Sequence, residues 1–246
     1  MKKLILFFFA LAFAGAVHSQ GVDEIIDSYR QAVGGKNWDG IKNMRLKTNL
    51  NQGGTNIPVE VVMMADGRSY TQITFNGNTM TMRAFDGQKS WGTNFMTMAA
   101  EEESAEESEN SRRTAAEFPN ALMHYKKLGY KASLMGTEKV DGTDCYKIKL
   151  EKKTMLVEGK EVPNIEYHYL DKENKVILMS ESELTSGEMK GKLSQEKYSD
   201  YQEVNGVMVA FSNASGIKDG PSQTVQFEKV ETNVQVDENK FNFPKK

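Results

Sequence analysis

The sequence predicts a mainly β protein with some α. It reads as one large antiparallel domain, a curved sheet or incomplete barrel of about ten or eleven strands. Three observations predict it. Asp-Gly or Asn-Gly pairs stand at 66–67, 76–77, 86–87, 141–142 and 205–206, and between them apolar and polar residues partly alternate. Such pairs suit tight hairpins, because Gly adopts positive φ freely and Asp or Asn tolerates it. No Pro/Gly/Ser-rich linker divides the chain, so its 246 residues fit one large β domain better than two small ones. The strand pattern yields to helical spacing near the start and in the middle of the chain.

The first residues set the compartment. In MKKLILFFFALAFAGAVHSQ, Lys2 and Lys3 precede an apolar run from Leu4 to Ala16, and Val17 and Ser19 are placed for cleavage before Gln20. This is the pattern of a signal peptide, residues 1–19, leaving a mature domain of residues 20–246. The run is short for a bilayer span and no second one follows. Because Gln20, not Cys, stands after the cleavage point, the exported chain is expected not to be N-terminally lipidated. Net charge is −3 and becomes more negative once Lys2 and Lys3 leave, which argues against a nucleic-acid partner.

The mature chain opens with a helix. Val22, Ile25, Ile26, Tyr29 and Val33 fall on one face, Asp23 and Glu24 suit the positive end of its dipole, and Gly34-Gly35 stops it. In the meander that follows, Met80, Met82 and Ala84 are expected on one face and Thr79, Thr81 and Arg83 on the other. Residues 95–129 then form an insertion. The like-charged run Glu101–Glu109 predicts a solvated, mobile loop. After it Leu122, Met123, Tyr125 and Leu128 make the apolar side of a short helix between Pro119 and Gly129. Hairpins resume after residue 130, turning at 141–142, 172–174 and 205–206.

GTEKVDGTDCYKIKL, residues 136–150, holds the only cysteine. Tyr146, Ile148 and Leu150 alternate with Cys145, Lys147 and Lys149, so the thiol is expected on a lysine-bearing face, open to thiol reagents. A lone Cys makes no intrachain disulfide; a bystander is the first expectation, an intermolecular disulfide the alternative.

Signals of catalysis are sparse. There is no Gly-rich phosphate loop, no G-x-S-x-G elbow and no HExxH, so no catalytic residue, cofactor or metal is expected. Glu166 and His168 share a strand face and could give two metal ligands, but a closed zinc site wants four. They are expected to be ordinary strand-surface residues. The unusual feature is methionine: Met63, Met64, Met80, Met82, Met96 and Met98 crowd one region, joined by Met123. Met fills irregular cores and also lines adaptable binding surfaces. Two short helices cover little of a wide curved sheet, which leaves room for a partly unfilled apolar concavity.

Six stretches, IIDSYRQAVGG, FDGQKSWG, GTEKVDGTDCYKIKL, YHYLDKENKVILMSES, YSDYQEVNGVMVAFS and VDENKFNFP, resemble in their order the LolA/LolB-like superfamily of periplasmic lipoprotein carriers. The resemblance covers nearly all of the mature chain. It implies an unclosed, strongly curved antiparallel β-barrel with helices plugging or lidding its mouth, and a periplasmic location. It also implies non-covalent binding of the acyl chains of lipoproteins or other lipids, with membrane-anchored donor or acceptor proteins as further partners. The alternative within the same fold is an envelope sensor or structural partner-binding protein with a filled barrel. Family carriers hold the lid with a cavity arginine; Arg45 and Arg83 are possible positions, and the role is carried to neither. On this resemblance the candidate cavity residues are Val61, Met63, Ile73, Phe75, Met80 and Met82 from strands, with Leu122 and Met123 from the lid helix.

Overall fold

A computed structural model of the protein describes residues 21–244. The expected signal peptide, residues 1–19, and its cleavage before Gln20 lie outside the described residues. Helix α1 (Val22–Ala32) leads into strands β1 (Asn43–Gln52), β2 (Thr55–Met64), β3 (Ser69–Phe75), β4 (Asn78–Phe85), β5 (Ser90–Asn94) and β6 (Ala99–Glu102). Helices α2 (Ala105–Thr114) and α3 (Ala121–Leu128) follow, then β7 (Lys131–Val140), β8 (Thr143–Glu151) and the short β9 (Met155–Val157) and β10 (Lys160–Val162). The chain continues through β11 (Ile165–Asp171), β12 (Ile177–Glu183), β13 (Leu193–Val204), β14 (Val207–Ile217), β15 (Ser222–Gln226) and β16 (Lys229–Thr232). The strands outnumber the ten or eleven expected because of short additions. β6 lies in the acidic run, β9 and β10 form an extra hairpin, and the terminal strand is split into β15 and β16.

Turn chemistry is realised as the sequence requires. Asn76-Gly77, Asp141-Gly142 and Asn205-Gly206 hold positive φ at both residues, the geometry that matches strand twist in a tight hairpin. Two seven-stranded antiparallel sheets result, ordered β16-β1-β2-β3-β4-β5-β6 and β15-β14-β13-β12-β11-β8-β7. The chain joins them along one side as it passes from β15 to β16. There Phe227 N–H donates to Phe211 O at 2.7 Å on the second sheet, and Glu228 N–H donates to Lys47 O at 2.9 Å on the first. The Thr48 hydroxyl adds a bond to Gln226 O at 2.6 Å. β6 and β7, the other ends, do not pair, so the barrel is unclosed and the helices sit on that side.

The main core lies between the sheets. Met44, Leu46, Val61 and Met63 from the first meet Ile148, Leu150 and Val209 from the second, under Ile25, Ile26 and Tyr29 of α1 and Leu122 and Met123 of α3. Each such large side chain, fully buried, stabilises by about 1.5–3 kcal/mol. Gly34 fixes the seat of α1. At φ 115° a Cβ there would fall 2.7 Å from Gly206 O, so only glycine lets the helix end press on the β13–β14 turn. Met208 N–H donates to Val33 O at 3.1 Å and Asn37 Nδ2 to Gly206 O at 2.8 Å across that contact.

Three expectations are corrected. The acidic run is no mobile loop: it forms β6 and then α2. Glu107 N–H donates to Ser104 Oγ at 3.1 Å, while the Glu107 carboxylate accepts from Ser104 N–H at 2.9 Å. Reciprocal capping, negative charge at the helix start, and Arg112 and Arg113 beside Glu109 turn a like-charged run into a helix.

Cys145 does share a face with Lys147, but that face is covered. The thiol is 0 % exposed and packs on Val140, Tyr169 and Met179. Lys147 lies 5.3 and 5.2 Å from the rings of Tyr167 and Tyr169, so tyrosines and lysine stems form a second apolar layer outside the sheet.

Met80, Met82 and Ala84 do not share a face. Arg83 stands opposite Thr71 but Thr81 stands opposite Gln72, which makes Met82 the extra residue of a β-bulge. Parity reverses across it. Met80 lies with Ile73 on the inner face, while Thr81 is buried on the outer face with Tyr70 and Ala84.

Candidate functional site

Two adjoining cavities of about 450 and 390 Å³ lie between the sheets. They share Met63, Pro119, Asn120, His168, Glu196 and Tyr198 as walls. The larger lobe lies under α1 and α3, walled mainly by Trp38, Met44, Leu46, Val61, Met123, Ile177, Met208, Val209 and Phe227. The smaller lobe lies toward α2 and mixes polar groups, Arg68, Arg83, Ser111, Glu117 and Glu166, with apolar ones, Met64, Phe85 and Phe118. The larger volume falls in the range of small-molecule pockets.

Strand parity builds the boundary between the lobes. Glu166 and His168 alternate on the inner face of β11; Leu150 and Ile148 stand opposite them on β8, and Ser182 and Ser180 on β12. Glu196 and Tyr198 extend this face onto β13. Glu166 and His168 are thus not the solvated strand residues expected: His168 is only 6 % exposed.

Their charges are handled internally. Lys152 Nζ, just past β8, lies 3.0 Å from both Glu117 Oε2 and Glu166 Oε1. Tyr130 donates to Glu117 Oε1 at 2.8 Å. Burial pushes the Glu166 carboxyl up, but the neighbouring His168 ring and the charge of Lys152 outweigh it and hold it at about 2. Burial likewise works against the charge on Lys152, and the two carboxylates outweigh it and raise its pKa. Glu196 accepts from Tyr198 at 2.7 Å and from Asn213. His168 differs: neither ring nitrogen has a hydrogen-bond partner. Glu166 Oε2 lies 3.3 Å from His168 Nε2, an ion pair only when the ring is protonated. Among the described residues no group of three or more His, Cys, Asp or Glu is placed to hold a metal ion.

Of the eight residues singled out by sequence, Val61, Met63 and Met123 line the larger lobe. Leu122 is wholly buried in the core beside it. Ile73, Phe75 and Met80 share the inner face of the first sheet but lie beyond the cavity wall, Phe75 at the exposed end of β3. Met82, on the bulge, is exposed. Sequence reasoning missed the wall from the second sheet: Tyr198, Tyr201, Met208, Val209 and Phe227. The signal was present as aromatic and aliphatic residues in YSDYQEVNGVMVAF, but nothing local said that this strand pair faces the methionine-rich one. Of the two arginines, Arg45 pairs on the outer side with Glu231 at 2.9 Å. Arg83 lines the smaller lobe and reaches α2, donating to Ser111 Oγ at 3.1 Å and pairing with Glu103 at 3.0 Å.

Two facing sheets joined along one side, a cavity between them and helices at the opening define an open-barrel fold. Solved structures of this kind are similar over nearly their whole length. A LolA superfamily protein from Nitrosomonas europaea matches with a TM-score of 0.52 and 15% identity, over 92% of this chain and 99% of that one. A putative outer membrane lipoprotein-sorting protein domain from Vibrio parahaemolyticus gives 0.53 and 13%, over 89% and 95%. A DUF1329 family protein from Desulfovibrio piger gives 0.54 and 15%, over 91% and 98%. No family model and no curated protein sequence matches the chain. The protein therefore has the LolA-like open-barrel fold that its sequence resembles.

Proposed function

We propose that the protein is an exported, periplasmic binding protein for hydrophobic ligands, a carrier of lipoprotein acyl chains or other lipids toward the outer membrane. Membrane-anchored donor or acceptor proteins would be its partners, and no catalytic step is assigned to it. One observation carries the reading: the core between the sheets is incomplete, leaving a lobe of about 450 Å³ with mostly apolar walls. The LolA-like fold supports the same class of ligand. Moving an acyl chain into such a lobe gains about 0.8 kcal/mol per buried CH₂ before the costs of association.

The test is titration with a fluorescent fatty acyl probe. Wild type is expected to bind. Val61→Glu and Met63→Glu place a carboxylate on the lobe wall, which must be desolvated without a partner, and should abolish binding while circular dichroism stays native. Phe75→Glu, outside the wall, should leave affinity within about two-fold. A folded wild type that binds no acyl probe sinks the carrier reading and leaves a sensor or structural protein of the same fold.

A further inference from the structure

One acid stands in the apolar lobe without a cation. Among the described residues, Glu196 on β13 is the single Asp, Glu, Lys or Arg in the wall of the larger lobe, and it stands where the two lobes meet. Parity turns it inward. It lies opposite Ser180 on the inner face, while the next residue, Lys197, points outward and pairs with Asp141 at 2.8 Å. The Glu196 carboxylate accepts from the Tyr198 hydroxyl at 2.7 Å and from Asn213 Nδ2, and among the described residues no lysine or arginine joins them. A carboxylate has about four acceptor sites, so about two are left for a ligand. Burial pushes the Tyr198 phenol up, and the charge of Glu196 pushes it further, so that charge acts inside the cavity and is not screened away. The cations nearby are already held. Arg68 pairs with Asp66 and Glu238, Arg83 with Glu103, and Lys152 with Glu117 and Glu166, three cations against five carboxylates. His168 sits against Glu166 at 3.3 Å. An anionic head entering the junction would meet this surplus of negative charge, find no free cation and lose its hydration. An ammonium carries three donors and no acceptor, the complement of what Glu196 offers.

From this geometry we infer that Glu196 sets the specificity of the cavity: its carboxylate seats the primary ammonium head of a single-chain lipid amine at the junction of the lobes, with the chain in the apolar lobe. The inference rests on the carrier reading and narrows its ligand class.

Competition against the fluorescent acyl probe at neutral pH, using oleylamine, oleyl alcohol and oleate on the full mature chain, tests it because the three share one chain length and differ in the charge of the head. Wild type is expected to bind oleylamine roughly ten-fold tighter than oleyl alcohol, the lower end of what a hydrogen bond to a charged group is worth, with oleate the weakest. Ethylamine, the same head without a long chain, should displace no probe at the same concentration. Glu196→Gln keeps the shape and one acceptor oxygen and removes the charge, so it is expected to fold. It should hold oleyl alcohol within about two-fold and bring oleylamine down to the same level. Glu196→Asp, which keeps the charge, should keep the preference for the amine. A merely structural Glu196 would lower Tm in Glu196→Gln and leave the ranking unchanged. That unchanged ranking, equal binding of the three lipids by wild type, tighter binding of oleyl alcohol or oleate, or displacement by ethylamine overturns the seat and leaves the carrier reading standing. Failure of wild type to bind the probe or any of the three lipids overturns both.

Discussion

Cys145 and His168 were misread for one physical reason. Alternation tells which residues share a strand face; it does not tell whether that face is covered. Around β8, β11 and β12 both faces are. The inner one meets the helices and the first sheet, and the outer one carries its own layer of Tyr167, Tyr169 and Met179 with the stem of Lys147. A lysine beside Cys145 therefore looked like solvent, although the lysine merely lies over a tyrosine. Burial, with Asp171 nearby, also pushes the Cys145 thiol above its ordinary value, so little thiolate is present at neutral pH. The expected outcome is that a thiol reagent leaves Cys145 unmodified in the native protein and labels it fully in denaturant. Rapid labelling without denaturant would show that the outer layer opens.

Helix α2 shows what sequence periodicity can and cannot convey. The hairpins and the two apolar helices were legible, because turn pairs and buried stripes leave local signatures. Helix α2 buries little apolar surface and is held by polar bonds that no hydrophobic pattern reveals. On one side Asn110 exchanges two 2.8 Å bonds with the backbone of Leu156. There Arg113 also pairs with Glu161 at 2.7 Å, and Glu106 accepts from Glu158 and Gly159 N–H at 3.1 and 2.7 Å. On the other side Ser108 and Ser111 bond Ser90 of β5 at 3.0 and 2.9 Å. Spacing of three and four residues puts Glu106, Asn110 and Arg113 toward the β9–β10 hairpin, so the helix bridges the open side of the barrel. The β-bulge at Met82 was illegible too, since one inserted residue reverses parity without changing composition. Asn110→Ala leaves two backbone groups of Leu156 unserved, at a local cost of about 1–3 kcal/mol. Amide exchange should quicken across 105–114 and 155–162 and stay unchanged in β8. Unchanged exchange in α2 would mean that the serine contacts to β5 alone hold it.

At the scale of the whole molecule the buried triad links the cavity to acid stability. Glu117 lies between α2 and α3, Lys152 follows β8 and Glu166 sits on β11, so one lysine ties the helical insertion to the second sheet. The Glu166 pKa is about 2 in the folded protein against an ordinary 4.5. A carboxyl whose folded pKa is depressed contributes stability that is present above its unfolded value and lost as pH falls through the folded one. The window for Glu166 therefore runs from about pH 5 down to about 2. Glu161 is also held near 2, first by hydrogen bonds from Arg113 and Thr154, but it is solvent-exposed, and screening makes its pair worth little. Thermal unfolding followed across that range should show Tm of wild type falling steeply. In Glu166→Gln the curve should start lower at neutral pH, because Lys152 keeps only Glu117, and then fall less steeply. Glu161→Gln should differ little from wild type, and that difference should vanish at high salt, while the effect at Glu166 persists. Parallel curves for wild type and Glu166→Gln below pH 5 would show that the acid response belongs to other carboxylates held low, such as Glu60 and Glu181, and not to the triad at the cavity wall.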